Sequence, residues 1–559
     1  MATDGTKGQL DRARTNEPSK DSADYYETIE PISTANLPTV LAENVSYGPN
    51  GIKGLMSSPT VFGAAFLASL GGFSFGYDQG VISIINVMPH FLDAFPPVKT
   101  GFGKGFMTGM LEFGAFLGCF FFPYLADKIS RKRALTAMVV IFNIGAILQT
   151  SAVNYGMLVA GRTIGGIGVG TMAMGAPLYI SEIAPPNIRG TLLVLESISI
   201  VSGVVISFWI TYGTRNMVGE ISFRLPLGLQ MICATLLGIF IHFFPYSPRW
   251  LAMVDRQDDA LSSLCKLRRL PPTDERIQTE YRGILAEVTF QNALQEKKHP
   301  GVRGIKREFQ AWLDLFSRKT WRRLAVGCGV CFFQQFSGIN AFIYYAPTLF
   351  QSLGQDAEMS LLMSGVFNIL QLVAVAICFV VIDKLGRRPL AIWGAVGTTV
   401  SYVIISILAG LFGNDWPSHG AAGWACVAMA FMFILTYGVS YSPLGWALPP
   451  EVFPNAMRAK GVALATAVNW ISNFTVGVVT PPMLEKAKYK TFVFFAVMCF
   501  LTVVWAVLLV PETKGRTLEE MDEMWGDSSA EEEKEILKEA VLRDRTRANM
   551  GMTQKTAEV

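Results

Sequence analysis

Two short stretches, Asp127-Lys128-Ile129-Ser130-Arg131-Lys132 and Asp383-Lys384-Leu385-Gly386-Arg387-Arg388, decide how this chain folds. Each reads acid, base, apolar residue, small residue and two bases, and the copying continues around them. Glu182 precedes Arg189 at the spacing at which Glu451 precedes Arg458. Pro245-Tyr246-Ser247-Pro248-Arg249 closes one apolar region, and Pro511-Glu512-Thr513-Lys514-Gly515 closes another. All three pairs lie about 260 residues apart, so the chain is a duplication of two similar halves. Duplicated membrane-embedded halves are how secondary transporters are built.

With 51% hydrophobic and 16% charged residues in 559, the chain is too apolar for an ordinary soluble protein. A bilayer core takes about 20 apolar residues per helix. Twelve runs qualify: 59–88, 106–125, 134–153, 157–180, 191–213 and 226–244, then 324–353, 359–382, 389–412, 422–448, 459–484 and 491–510. The expected fold is therefore an all-α membrane protein of twelve transmembrane helices in two six-helix, pseudo-symmetric bundles. The expected organisation is a disordered polar tail over 1–58, a bundle over 59–244, a linker over 245–323, a bundle over 324–510 and a tail over 511–559. Mixed charges and helix formers at 257–269 and 278–298 predict short linker helices, and 518–547 predicts one more.

A net charge of +3 gives no reason to expect nucleic acid as a partner. The distribution of charge says more. Lys128, Arg131, Lys132 and Arg133 lie between spans 2 and 3, 16 Lys and Arg lie in the central loop, and Lys384, Arg387 and Arg388 lie between spans 8 and 9. The loops on the other side carry fewer: Lys99, Lys104, Arg215, Arg224, Lys486, Lys488 and Lys490. The positive-inside rule puts both termini and the linker in the cytoplasm. Seven of the eight cysteines, all but Cys265, lie in apolar spans, and Cys328-Gly329-Val330-Cys331 reads as small helix filler. The four histidines lack metal-ligand spacing, and neither a phosphate-binding loop with Lys nor a nucleophile motif is present. Neither an enzyme nor a metal site is expected.

Charges within the spans are few, and each is a functional candidate because charge at the bilayer centre costs several kcal/mol unless paired or wet. Asp78 follows the glycines of Gly71-Gly72-Phe73-Ser74-Phe75-Gly76-Tyr77, which permit close packing or a local break. Arg162 opens Gly161-Arg162-Thr163-Ile164-Gly165-Gly166 on span 4. A carboxylate beside an arginine is held ionised and loses that support when the pair separates. Asp78 and Arg162 thus read as a proton-coupling pair, against the plainer reading of a static ion pair. Glu112 in span 2 reads as a structural hydrogen-bonding acid.

Amides form a second constellation. Span 7 carries Gln334, Gln335 and Asn340, followed by Tyr344 and Tyr345. Treated as one continuous helix, it sets Gln334, Gly338 and Tyr345 near one face, with Asn340 and Tyr344 displaced. Asn368 lies in span 8, Trp446 in span 10, and Asn469, Trp470 and Asn473 in span 11. Amides donate and accept, which suits a neutral polyhydroxylated ligand, and Trp446 suits the apolar face of a sugar ring.

In these motifs, over about 60–520, the chain resembles the sugar porter family of the major facilitator superfamily, and within it the fungal monosaccharide transporters. The resemblance rests on Gly161-Arg162, Pro177-Leu178-Tyr179-Ile180-Ser181-Glu182, Arg189-Gly190, Gln334-Gln335 with Asn340, Asp383 to Arg388, Pro450-Glu451-Val452-Phe453-Pro454 and Pro511 to Gly515. It implies a central sugar site and alternating access, with Gln334, Gln335, Asn340, Asn368, Trp446 and Asn473 as sugar ligands. Tyr344 and Tyr345 are implied as an outer gate. Asp127, Arg131, Glu182, Arg189, Asp383, Arg387, Glu451 and Arg458 are implied as a cytoplasmic charge network. An acid at the position of Asp78 resembles the proton-coupled members. The expectation is a plasma-membrane, proton-coupled symporter of a neutral hexose or pentose, monomeric, with the proton as coupling ion and no cofactor. The alternatives are an uncoupled facilitator, a carrier of a sugar acid such as a uronic acid or quinate, and a non-transporting sensor. The chain also departs from the family pattern. Pro123 and Ser130 stand where glycines are usual, and Tyr246 stands where Glu is usual. Glu196-Ser197 stands where a Gln pair is common, which removes one expected sugar ligand and sets an acid beside its place.

Overall fold

A computed structural model describes Tyr47, Gly54, 58–185, 188–298, 305–317, 320–453, 457–514, Met521 and Trp525. The expected tail helix at 518–547 otherwise lies outside these residues, as does the expected disorder of 1–58 apart from Tyr47, Gly54 and Ser58. Among the described residues the secondary structure is helical throughout. The first half contributes α1 (Pro59–Ile85), α2 (Gly101–Ile129), α3 (Arg131–Thr150), α4 (Tyr155–Ile183), α5 (Arg189–Thr214) and α6 (Ile221–Phe240). The linker holds α7 (Pro248–Met253), α8 (Gln257–Arg268), α9 (Glu275–Lys298) and α10 (Ile305–Leu313). The second half contributes α11 (Trp321–Phe336), α12 (Ile339–Ser352), α13 (Ala357–Leu385), α14 (Arg387–Phe412), α15 (Gly420–Val439), α16 (Tyr441–Val452), α17 (Arg458–Ala487) and α18 (Lys490–Leu509).

Twelve segments are long and apolar enough to cross a bilayer, with spans 7 and 10 each built from two consecutive helices. Helices suit that solvent because they satisfy their own backbone. Their free ends are capped where side chains reach: Thr100 accepts from Gly103 N–H, and Asn154 accepts from Met157 N–H at 2.8 Å. Trp393 and Leu508 are both 73% exposed on the outside, as a lipid-facing surface requires.

The glycines of α1 serve close packing. The helix runs unbroken, and a Cβ on Gly76 would fall 1.8 Å from the Ile200 carbonyl oxygen of α5. Span 7 is different. It breaks at Gly338, whose φ of +87° suits glycine alone, and a Cβ there would meet the Tyr402 hydroxyl at 2.4 Å. A second irregularity follows at Tyr345, with φ −131° and ψ 19°. The single-helix reading of span 7 is therefore corrected: Gln335 and Asn340 meet across a break.

The halves meet in a pseudo-twofold pattern. The second span of the first half, α2, runs along the fifth span of the second half, α17. Reciprocally, α5 runs along α13, and α1 meets α12 between these two seams.

Candidate functional site

The duplicated signature makes the same backbone turn in both copies. Its fourth residue has φ +93° at Ser130 and +92° at Gly386, and each turns one span into the next. Arg131 bonds Asp127 at 2.7 Å and Glu182 at 2.9 Å, while Arg387 bonds Glu451 at 2.9 Å. Each of these pairs lies inside one half. Arg458 donates to the Phe453 carbonyl at 3.4 Å. The side chains of Arg189 and Asp383 lie outside the described set.

The segment following each sixth span pins that turn. In the first half Lys132 donates to the His242 and Phe244 carbonyls, and Trp250 donates to the Asp127 carbonyl at 2.8 Å. In the second half the Glu512 carboxylate accepts from the Arg387 and Arg388 backbone N–H groups at 3.0 and 3.2 Å, and Thr513 donates to Glu451 at 2.6 Å. Glu512 therefore caps the start of α14 with a charge of the favourable sign.

Deeper in the first half, Asp78 and Arg162 are each 1% exposed and joined at 3.2 Å. The guanidinium also donates to the Thr108 carbonyl at 3.2 Å, which ties α1, α4 and α2 together. This two-point grip fits the rule that buried charge persists only when paired and hydrogen-bonded.

The amides assemble around span 7. Gln334 donates to the Tyr441 carbonyl at 3.0 Å and accepts from Asn469 at 2.7 Å. Gln335 donates to Asn469 at 3.0 Å and accepts from Asn340. Gln79, the residue after Asp78, donates to Asn340 at 3.5 Å and to the Tyr344 hydroxyl at 3.0 Å. Asn473 donates to the same hydroxyl at 3.1 Å, and Tyr344 donates to Glu112. Of the residues implied as ligands or gate, Gln334, Gln335, Asn340, Asn473 and Tyr344 thus share one network. Tyr345 is beside it, donating to the Gly477 carbonyl at 2.8 Å. Asn368 is buried with its Oδ1 unpartnered among the described residues, and Trp446 is half-buried on α16, outside the network.

Gln79, Asn469 and Glu112 belong to the network although the family motifs do not single them out as ligands. The signal available was an amide or acid at mid-span, where polar groups need a reason. Within the network Glu112 Oε2 and Asn473 Oδ1 have no partner among the described residues, and elsewhere in the spans Gln371 Oε1 and both oxygens of Glu196 are likewise buried without one. Buried polar atoms are normally satisfied, so the two orphans on members of this network, Glu112 Oε2 and Asn473 Oδ1, leave it room to bond a ligand.

The halves close on one another at the end away from the signature turns. Cβ atoms added to Gly101, Gly105 and Gly109 of α2 would strike Glu485, Val478 and Phe474 of α17. Arg215 and Glu358 bridge α5 and α13 at 2.8 Å. Midway along their helices, Phe75 packs edge-on against Trp470 at 4.8 Å.

The family described as "Sugar (and other) transporter" matches residues 64–525. A "High-affinity glucose transporter" of Kluyveromyces lactis is 32% identical over 506 residues, covering 88% of this chain and 89% of that protein. The solved structure of the proton:xylose symporter XylE, bound to 6-bromo-6-deoxy-D-glucose, superposes with TM-score 0.69 at 25% identity, covering 84% of this chain and 99% of that one. The inward-open form of XylE from E. coli gives 0.66 at 26%, covering 83% and 100%.

Proposed function

We propose that this chain, which belongs to the family of sugar (and other) transporters, is a proton-coupled monosaccharide symporter working by alternating access. It is a multi-pass membrane protein of the major facilitator superfamily, and members of its family move a substrate rather than convert it. One observation carries the finer reading. Asp78 and Gln79 are consecutive on α1, the first holding Arg162 and the second holding Asn340 and Tyr344 of the other half. A proton site and an amide site therefore share one turn of one helix.

The chemistry follows from that juxtaposition. A sugar hydroxyl exchanges bonds with Gln334, Gln335, Asn340 and Asn473, each of which donates and accepts. The amides and orphan acceptors favour a neutral hexose or pentose. The mid-depth carboxylates of Glu112 and Glu196 disfavour a sugar acid by like-charge repulsion. The proton binds Asp78 when Arg162 withdraws and leaves when the pair re-forms. Tyr344 and Tyr345 close the site at the end opposite the signature turns, and the duplicated charge network closes the signature end in the other state. Several pairs acting together at one end suffice, although a single exposed pair contributes under about 1 kcal/mol. The proton is the coupling ion, and the carrier acts as a monomer in the plasma membrane with both termini cytoplasmic.

The test is external pH in weakly buffered cells lacking their own sugar transporters and expressing the full chain. Adding the transported hexose or pentose should alkalinise the medium as protons enter. Sugar uptake with a flat pH trace would remove proton coupling from the reading.

A further inference from the structure

Among the described residues, Glu112 is the mid-depth acid that bonds across the seam between halves. Its side chain is fully buried, Oε1 accepts from the Tyr344 hydroxyl of α12, and Oε2 is unpartnered. The direction of that bond is fixed by its surroundings. Gln79 and Asn473 both donate to the Tyr344 oxygen, so the hydroxyl proton is left for Glu112. One turn earlier on α2, the Thr108 carbonyl holds Arg162 and through it Asp78. The charged groups facing Glu112 are Asp78 from α1 and Arg162 from α4; α12 presents Tyr344, and α17 presents the neutral Asn473.

We propose that Glu112 is a second proton-binding group, and that its charge latches the Tyr344 gate. A carboxylate accepts a hydrogen bond roughly twice as strongly as a neutral acid. Protonating Glu112 weakens its hold on Tyr344 and frees the gate to open. By reciprocity, closing the gate drives the proton off the carboxyl group to water. This deepens the symport reading and rests on it for the direction of travel: the proton is taken up at the open gate and released after the gate has closed.

The latch itself is tested without sugar. A cysteine is introduced by Val478→Cys, on α17 where it faces Gly105 and Gly109 of α2, and labelled from outside with a membrane-impermeant maleimide in intact cells expressing the full chain. A reference cysteine, Val218→Cys, sits 91% exposed between α5 and α6 and corrects for the pH dependence of the reagent. Moving from neutral to mildly acidic medium should raise the labelling ratio roughly tenfold, the scale on which replacing a charge-assisted bond by a neutral one moves an equilibrium. In Glu112→Gln and in Tyr344→Phe the ratio should be flat, while in Asp78→Asn the rise should persist. An acid-dependent rise surviving in Glu112→Gln or Tyr344→Phe overturns the latch, as does its loss in Asp78→Asn or a flat parent. If Glu112→Gln fails to reach the membrane, Tyr344→Phe alone decides. Acid-dependent labelling with no sugar-induced alkalinisation removes symport and keeps the latch; alkalinisation with flat labelling does the reverse.

Discussion

The two halves agree at their ends and differ at their centres. Both signature turns take the same backbone shape, and both are pinned by the segment after the sixth span. At mid-depth the first half carries Asp78, Glu112, Arg162 and Glu196, whereas the spans of the second half carry their Asp, Glu, Lys and Arg only toward their ends. Around the break in span 7 the second half gathers amides without a charge among them, Gln334, Gln335, Asn340, Asn469 and Asn473, which Gln79 of the first half joins. The duplication preserved the parts that set membrane crossing and turn geometry. The interior then diverged, and on the proposed reading the charges of the first half serve a proton while the amides, most of them in the second half, serve a neutral polar ligand.

The largest effect expected from that division is on accumulation. A proton crossing about 100 mV and about one pH unit supplies roughly 2.3 plus 1.4 kcal/mol, or several-hundred-fold accumulation. Asp78→Asn should abolish it while sparing sugar exchange, measured as steady-state and counterflow uptake of labelled sugar. Asn340→Ala should do the opposite. Losing one buried hydrogen-bonding side chain costs about 1–3 kcal/mol, so the sugar KM should rise about tenfold or more while the proton-to-sugar ratio holds. If Asn340→Ala shifts that ratio instead, the division between halves fails.

The agreement at the ends is tested by exchanging residues. Gly386→Ser should destabilise the protein by about 1–3 kcal/mol, because φ near +90° strains a side chain and the Cβ would sit 2.6 Å from Glu512 Oε2. Ser130→Gly should relieve the same strain and stabilise by about 1 kcal/mol, read as a higher midpoint of thermal unfolding in detergent. Equal effects at both sites would show that the turns are not equivalent in energy, because a side chain at 386 also meets Glu512. The smallest effect belongs to Arg215→Ala, which removes an ion pair with the mostly exposed Glu358. It should shift the closed state by under about 1 kcal/mol, less at high salt, in the same cysteine-labelling ratio.

Twelve apolar runs and a repeated motif made the fold legible, since a bilayer demands a length and a composition that few other settings impose. The site was legible by residue type but not by arrangement. Helical periodicity assigns a face only while the helix continues, and Gly338 ends it, bringing Asn340 to Gln335. Nor can periodicity say which helix of the other half lies opposite. Tyr344 and Glu112 are separated by 232 positions, and only the meeting of the halves joins them. Gln79 was hidden by its neighbour, because the eye goes to Asp78.

The pinned turns bear on the order in which the protein is made. Lys132 and Asp127 find their partners by Trp250, in the first helix of the linker, so the first half can complete its turn before the second half is made. The second half cannot, because α14 waits for Glu512, and Glu451 waits for Thr513. Domains emerging from the ribosome fold in the order of their synthesis. A nascent chain stopped after Trp250 should already resist protease at its first turn, whereas one stopped at Val510 should leave its second turn open to cleavage.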